Sequence, residues 1–261
     1  MPLSAYNNDY WPIALILGLF WGSFVLVVSD RLDSPRSIIF GRSHCPKCKQ
    51  PIAPYDLIPI LSFIFLFGRC RRCKKPIGWI YPVLELLFAL LFSLLFWRFG
   101  LVFSQIPLIL SVSLLAVAAL RDIKDKEVEL MVFAIGIPLS VVWFLMQGGL
   151  DWMNLKGLII SVLIAAFLPS VFAVLSSQKW MGYGDILFAV WVGALCGYPA
   201  VVVALFFAFL CGSLFGIIQI AIGKAKMKSA IAFGPFLALG CLVGLLFGQE
   251  LFSSYLKLFG L

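Results

Sequence analysis

The sequence predicts an all-α, multi-pass membrane protein, and three observations lead to this fold class. Of the 261 residues, 62% are hydrophobic. Only 12% are charged and the mean hydropathy is +1.06, whereas soluble domains contain about 25% charged residues. Apolar runs close to the ~20 residues that cross a bilayer recur along most of the chain.

Eight of these apolar runs are predicted to be membrane helices. They lie at about 11–29, 79–97, 104–121, 128–146, 155–175, 185–197, 199–222 and 230–248. The sixth is short and begins at a glycine-containing turn. The run 57–67 is also apolar, but it is too short for a span and is bounded by Pro54, Pro59 and Gly68. Core or interfacial structure is therefore expected there.

Charge predicts the orientation of these helices. The first run is expected to remain as a membrane helix, because residues 1–10 contain no Lys or Arg and no small-residue cleavage pattern follows Val28. With the N-terminus outside, all Lys and Arg residues lie in inner segments except Arg98, Lys156 and Lys257. The positive-inside rule then places both termini outside. The net charge of +8 reflects this topology rather than nucleic-acid binding, because no reading module accompanies it.

The sequence Gly182-Tyr183-Gly184-Asp185 immediately precedes the sixth apolar run. An acid at the start of a membrane segment, beside two glycines that leave the backbone open, indicates a functional site. A second acid, Asp122, follows the third run on the same predicted face. Two neighbouring carboxylates can share a proton, activate water and assist the leaving amine of a peptide bond. The pair predicts an aspartic protease, with Gly182 and Gly184 admitting an extended peptide.

A solvated or ion-paired acid at a helix end is the alternative for each residue alone. Asp122 has Arg121 and Lys124 close by in the sequence. The joint occurrence of Asp122 and Asp185 on one face favours catalysis. A single histidine, His44, excludes most histidine-dependent mechanisms.

Two C-x-x-C pairs lie between the first and second membrane helices. Cys45 and Cys48 form one pair, Cys70 and Cys73 the other, and this spacing predicts two knuckles that close one tetrahedral Cys₄ zinc site. The zinc is expected to be structural, because a loop of about fifty residues has little core of its own. The predicted cytosolic location disfavours a disulfide, and His44 is an alternative ligand. The other cysteines are expected to be packing residues: Cys196, Cys211 and Cys241.

Together these motifs resemble the bacterial type IV prepilin peptidases, a family of GxGD membrane aspartic proteases. The resemblance covers nearly the whole chain. The motifs that carry it are Gly22-Ser23-Phe24, Arg31-Leu32, the cysteine loop 45–73 with Tyr55-Asp56 and Ile58-Pro59, Tyr81-Pro82, Glu85-Leu86, Asp122, Gly182-Tyr183-Gly184-Asp185 and Phe233-Gly234-Pro235-Phe236. The resemblance implies that Asp122 and Asp185 are the catalytic pair and that the cysteines bind zinc in a cytoplasmic domain.

The resemblance also implies a substrate and a second activity. The family removes the short basic leader from type IV prepilins or pseudopilins at the cytoplasmic face of the inner membrane, and several members then methylate the new N-terminus with S-adenosylmethionine. Leu26 stands where the family usually has Asn, which leaves a peptidase without methyltransferase activity as an alternative. Glu85 is open to two roles, a polar network under the cysteine loop or a part in the methyl-donor site.

Three regions are predicted: the first membrane helix at 1–29, a Cys₄ zinc domain at 30–78 and the peptidase bundle at 79–261. Two other classes of protein compete with a protease. A transporter needs acids near the midplane, in broken helices of repeated halves, and no convincing repeat of this kind appears. A zinc-dependent membrane scaffold of a pilus or secretion assembly explains the cysteines, but it leaves Asp122 and Asp185 without a role.

Overall fold

A computed structural model describes residues 11–32, 41–100, 103–125, 129–176, 181–224 and 231–260. Within these ranges the chain is helical and forms no β-strand, apart from two isolated backbone bridges. Seven of the described helical segments are long and apolar enough to cross a membrane. Such runs become helices because a bilayer offers the backbone no water, so each N–H and C=O must be satisfied within the segment. The all-α, multi-pass fold class is confirmed.

The α-helices follow the predicted order closely. They are α1 (Trp11–Arg31), α2 (Leu61–Phe65), α3 (Ile80–Phe99), α4 (Ile106–Asp125), α5 (Leu130–Gly148), α6 (Trp152–Leu175), α7 (Tyr183–Cys196), α8 (Ala200–Ala221) and α9 (Gly234–Leu258). At 14 residues, α7 is shorter than the seven helices of spanning length. The helix α9 ends at Leu258 rather than near 248. The run 57–67 contains the five-residue α2 and the last residue of a short 3₁₀ helix (Pro54–Leu57), which agrees with the expectation that it is not a span.

The chain divides into two compact units, Met1–Leu101 and Val102–Leu261. In the first unit, α1 packs against α3 through Gly18 and Gly22. A Cβ atom at Gly22 would lie 2.9 Å from the Leu84 carbonyl oxygen, and one at Gly18 would collide with the Phe88 carbonyl. This pair of glycines lets the two backbones approach closely, as small residues do at other membrane-helix interfaces.

In the second unit the short helix α7 is enclosed by its neighbours. It packs against α5, α6, α8 and α9, and its side chains Trp191 and Phe188 are 0% and 1% exposed. Both rings also contact Phe133 of α5 edge to face. The enclosure fixes the position of the residues at the start of α7.

A buried hydrogen-bond network links α7 to α4 and α5. The indole N–H of Trp191 donates to Ser111 Oγ over 2.8 Å, and the hydroxyls of Ser111 and Ser140 donate to the carbonyl oxygen of Gly136. The Trp191 ring occupies the space that a Cβ at Gly136 would need. Unsatisfied polar groups are costly in apolar surroundings, so this network favours one arrangement of the three helices.

Candidate active site and metal centre

Two segments between α1 and α3 adopt the same knuckle conformation. In the first, the N–H of Cys45 donates to the Gln50 carbonyl and the N–H of Lys49 donates to the Cys45 carbonyl. The second repeats both bonds with Cys70, Lys75 and Lys74. The shared sequence pattern is Cys-x-x-Cys-Lys-x-Pro-Ile, at 45–52 and 70–77. Each knuckle therefore presents its two thiols by local backbone geometry.

The two knuckles bring four thiols together. The Sγ atoms of Cys45, Cys48, Cys70 and Cys73 all lie within 4.8 Å of one another, and those of Cys45 and Cys73 are 3.9 Å apart. Tetrahedral zinc with Zn–S bonds of about 2.3 Å needs sulfur atoms about 3.8 Å apart. Although burial acts to raise it, backbone N–H groups of Cys48 and Lys47 lower the pKa of Cys45 to about 7. The cluster fits a Cys₄ zinc ion, and its donors do not include His44.

An ion pair connects the segment between the knuckles to the second knuckle. Arg71 binds both carboxylate oxygens of Asp56, with Nε 2.8 Å from Oδ2 and Nη2 2.7 Å from Oδ1. The guanidinium also lies over the Tyr55 ring, 5.1 Å from its centroid. The hydrogen bond and charge of Arg71 hold the pKa of Asp56 below its usual range, despite burial. Because the pKa of Asp56 is lower in the folded protein than in the unfolded chain, the ion pair stabilises the folded state fully at neutral pH. This stabilisation is lost as the pH falls through the lowered pKa of Asp56.

Glu85 anchors a strained turn beneath the cysteine loop. Its Oε2 accepts the N–H of Ile60 over 2.8 Å. Ile60 has φ 61° and ψ −53°, and the N–H of Leu61 bonds the Pro59 carbonyl across it. These features define a γ-turn of the rare type, which is strained for a β-branched residue. Of the two roles left open for Glu85, this geometry favours the polar network.

Asp185 lies in the first turn of α7. Its Oδ2 accepts the backbone N–H of Gly182 over 3.0 Å, so the carboxylate caps the helix and meets the positive end of the helix dipole. Among the described residues, a Cβ atom at Gly184 would meet nothing within 4 Å, and one at Gly182 would reach only the Gly184 nitrogen at 4.0 Å. Within this part of the chain, the backbone beside the acid is open to an approaching substrate.

Asp122 lies in the last turn of α4 and contacts the beginning of α9. Its Oδ2 accepts the backbone N–H of Gly234 over 2.8 Å. A Cβ atom at Gly234 would lie 2.7 Å from that oxygen and 2.8 Å from the Phe188 ring. Arg121 forms an ion pair with Asp125 at 3.8 Å. Asp122 is thus held by a neighbouring helix, which differs from the solvated-acid alternative.

The structure brings the two predicted acids into one cluster. The Asp122 carboxylate and the ring of Phe188, which lies one turn after Asp185, both lie against Gly234. Two acids, an open backbone and a fixed helix terminus are the parts that general acid–base cleavage of a peptide bond requires.

Sequence reasoning assigned no role to Gly234 or to the Trp191–Ser111 pair. Gly234 stands in Phe233-Gly234-Pro235-Phe236, where a glycine before a proline indicates a tight approach at a helix start. Nothing in the local sequence connects Ser111 to Trp191, because 80 positions separate them. The predicted packing role suits Cys241, which is fully buried with its Sγ 3.8 Å from that of Cys196.

Comparison with known proteins covers both units of the chain. Residues 16–99 match the bacterial peptidase A24 N-terminal domain, and residues 109–217 match the type IV leader peptidase family. The prepilin leader peptidase/N-methyltransferase of Bacillus subtilis is 33% identical over 247 residues, which cover 94% of this chain and 98% of that protein. The protein of the same name from Pseudomonas aeruginosa is 28% identical over 296 residues, which cover 100% of this chain and 99% of that protein. No solved structure matches the chain significantly.

Proposed function

The chain belongs to the type IV leader peptidase family, and we propose that it is a membrane-embedded aspartic endopeptidase that removes the leader from type IV prepilins or pseudopilins. The observation that carries this proposal is the position of Asp122 and of the first turn of α7, which contains Asp185, on either side of Gly234 and beside the open backbone of Gly182 and Gly184. The protein is a multi-pass protein of the inner membrane.

In the proposed mechanism one of the two carboxylates is ionised and the other keeps a proton, because two close negative charges repel. The ionised member takes a proton from water, whose oxygen bonds to the scissile carbonyl carbon. The protonated member donates a hydrogen bond to the carbonyl oxygen, where negative charge develops. When the C–N bond breaks, the leaving nitrogen receives a proton from the pair. Gly234 holds Asp122 by its N–H throughout, and Gly182 holds Asp185.

The proposed zinc ion is structural. Cys45, Cys48, Cys70 and Cys73 would hold it, and it would join the two knuckles by four strong bonds in a segment with little core. All four protein ligands are thiolates, which is typical of closed structural sites. No step of peptide cleavage passes through it.

A second activity, N-methylation of the new N-terminus, is proposed from the names of the relatives. S-adenosylmethionine, the proposed cofactor, would supply the methyl group. Glu85 accepts the N–H of Ile60, and Leu26 is buried. Neither residue is assigned to the methyl donor, and a peptidase without this activity is the alternative.

The proposed topology has both termini outside, with the zinc loop and the two aspartates on the cytoplasmic side. The membrane-spanning helices contact the lipid. The distribution of Lys and Arg supports this topology, since three of the 20 lie in outer segments. A substrate whose basic leader stays in the cytosol and whose apolar helix stays in the bilayer would be cut between the two. The proposed regions 1–29, 30–78 and 79–261 correspond to an anchor, a zinc domain and the peptidase bundle.

Substitution of the aspartates tests the proposal. Asp122→Asn and Asp185→Asn should each lower prepilin cleavage in detergent by about 10²–10⁴-fold, the usual contribution of a general acid or base. The matched control is Asp151→Asn, which alters the N-terminal cap of α6. This variant is expected to cleave the prepilin at the normal rate. Mass spectrometry of the prepilin reports leader removal and methylation together. Normal cleavage by either aspartate variant, with normal membrane insertion, would contradict the assignment and favour a zinc-dependent scaffold.

A further inference from the structure

A long apolar groove runs between α6 and α8 in the second unit. Its volume is about 840 Å³. Leu205 and the half-buried Ile164 form its floor, and the exposed rings of Phe167 and Phe206 form its two sides. Ser213, at one end, is the polar residue among those that line it. The groove exists because α6 and α8 both flank the short helix α7 and contact each other far less than α6 contacts α7 or α8 contacts α9.

One end of the groove lies at the level of the aspartates. The Phe209 ring lines the groove and packs on the Phe233 ring, with centroids 5.0 Å apart. Phe233 immediately precedes Gly234, whose N–H binds Asp122. A Cβ at Gly212, next to Ser213, would lie 2.9 Å from Phe233. The Ser213 end of the groove is therefore joined to the acid cluster through two packed aromatic rings.

From this end the groove follows α8 away from the acids. Val202 and Ser213, at its two limits on this helix, are 11 residues apart, or about 16 Å at 1.5 Å per residue. A helix lying along it would contact the groove with about three turns, through side chains at helical spacing. Its remaining length would continue into the apolar layer, parallel to the spanning helices.

We propose that this groove binds the apolar transmembrane helix of the protein substrate, with the helix end nearest the scissile bond at Ser213. The inference rests on the proposed function. A chain cut beside Asp122 and Asp185 must continue from that point into the membrane, and the groove offers a path that begins at the same level. In a membrane, helices associate by packing rather than by the hydrophobic effect, and a groove between two helices gives more packing contact than a convex surface.

Groove contacts made at a distance from the scissile bond are the same before and during the reaction. Their loss should therefore raise KM and leave kcat unchanged. Val202→Trp narrows the groove at its deep end, and Val142→Trp places the same change on the exposed surface of α5, outside the groove. We expect Val202→Trp to raise KM about tenfold for a full-length prepilin, while Val142→Trp does not. A short peptide that spans the cleavage site but lacks the helix should be cut equally by both variants.

These measurements separate the two proposals. If the unmodified protein cuts neither substrate, the proposed function fails. If it cuts both, and Val202→Trp equals Val142→Trp on both, only the groove assignment is overturned. Photo-crosslinking gives an independent measurement, with benzoylphenylalanine at Phe206 in the groove or at the exposed Phe247 of α9. Adducts with prepilin at position 206 and not at 247 support the groove, and adducts with lipid alone at 206 overturn it.

Discussion

The backbone N–H of Gly234 donates a 2.8 Å hydrogen bond to the carboxylate of Asp122, across 112 positions of sequence. Gly234 begins α9, and Pro235 follows it at a position where the absence of an N–H is tolerated. The first turn of α9 thus sets the position of an acid that belongs to α4. The absence of a side chain at Gly234 makes this contact possible, because a Cβ would lie 2.7 Å from the oxygen.

Gly234→Ala should therefore impair catalysis. The new methyl group would displace the Asp122 carboxylate and would also press on the buried Phe188 ring, and a misplacement of about 1 Å can lower activity about 100-fold. We expect kcat for prepilin cleavage to fall by about that factor, measured at a temperature where the variant is still folded. Activity equal to that of the unmodified protein would show that Gly234 does not position Asp122.

Gly184→Ala tests access to the acids. The added methyl group meets none of the described residues within 4 Å, so the fold should accept it. A peptide backbone lying over Gly184 would be obstructed, and we expect kcat/KM to fall about tenfold or more, as misplacement of a substrate commonly produces. Unchanged kcat/KM would mean that the substrate approaches by another path.

One control serves both glycine variants. Gly157, inside α6, also has no described neighbour within 4 Å of the position that a Cβ would take, and it is far from Asp122 and Asp185 in the sequence. Gly157→Ala should keep full activity and stabilise the helix by about 0.5–1 kcal/mol. A loss of cleavage in this variant would make the effects at Gly184 and Gly234 uninformative about the site.

The thiol cluster predicts about one zinc ion per chain in the purified protein, the stoichiometry of a single Cys₄ site. Cys45→Ser combined with Cys70→Ser removes one ligand from each knuckle and should reduce zinc to background in elemental analysis. Cys211→Ser, a cysteine outside the cluster, should retain it. Full zinc occupancy in the double variant would rule out this site.

The strained turn at Ile60 predicts an energetic coupling with Glu85. Glu85→Leu leaves the Ile60 N–H unsatisfied and should destabilise the loop by about 1–3 kcal/mol. Glycine adopts the φ of Ile60 without steric strain. The destabilisation caused by Glu85→Leu should therefore be smaller by at least about 0.5 kcal/mol in the Ile60→Gly background than in the unmodified protein. Limited proteolysis within residues 57–67 can report loop stability. Strictly additive effects would contradict the coupling.

Glu85→Gln decides between the two roles considered for this residue. It retains an oxygen that can accept the Ile60 N–H, so the turn should persist. If the prepilin is still cut and methylated, Glu85 serves the turn. If the loop resists proteolysis normally but methylation alone is lost, Glu85 acts in methyl transfer.

Much of the fold can be predicted from local sequence, because each membrane helix satisfies its own backbone. The runs that became α1, α3 and α6 begin or end within a few residues of their predicted limits. The cluster of four cysteines was equally predictable, since each knuckle is built by a few consecutive residues and its hydrogen bonds are local. The repeated Cys-x-x-Cys-Lys-x-Pro-Ile pattern was visible as well, although its structural meaning became clear only from the matching hydrogen bonds.

The sequence by itself therefore determined the membrane class, the two Cys-x-x-Cys knuckles and the two acids at helix ends, since each depends on residue type and short-range spacing. The tertiary structure decided the contact of Gly234 with Asp122, the bond between Trp191 and Ser111, and the groove between α6 and α8. Each of these features joins residues from different helices. Side-chain packing and hydrogen bonding in an apolar environment select which helix faces meet, and the period of a single helix contains no information about that choice.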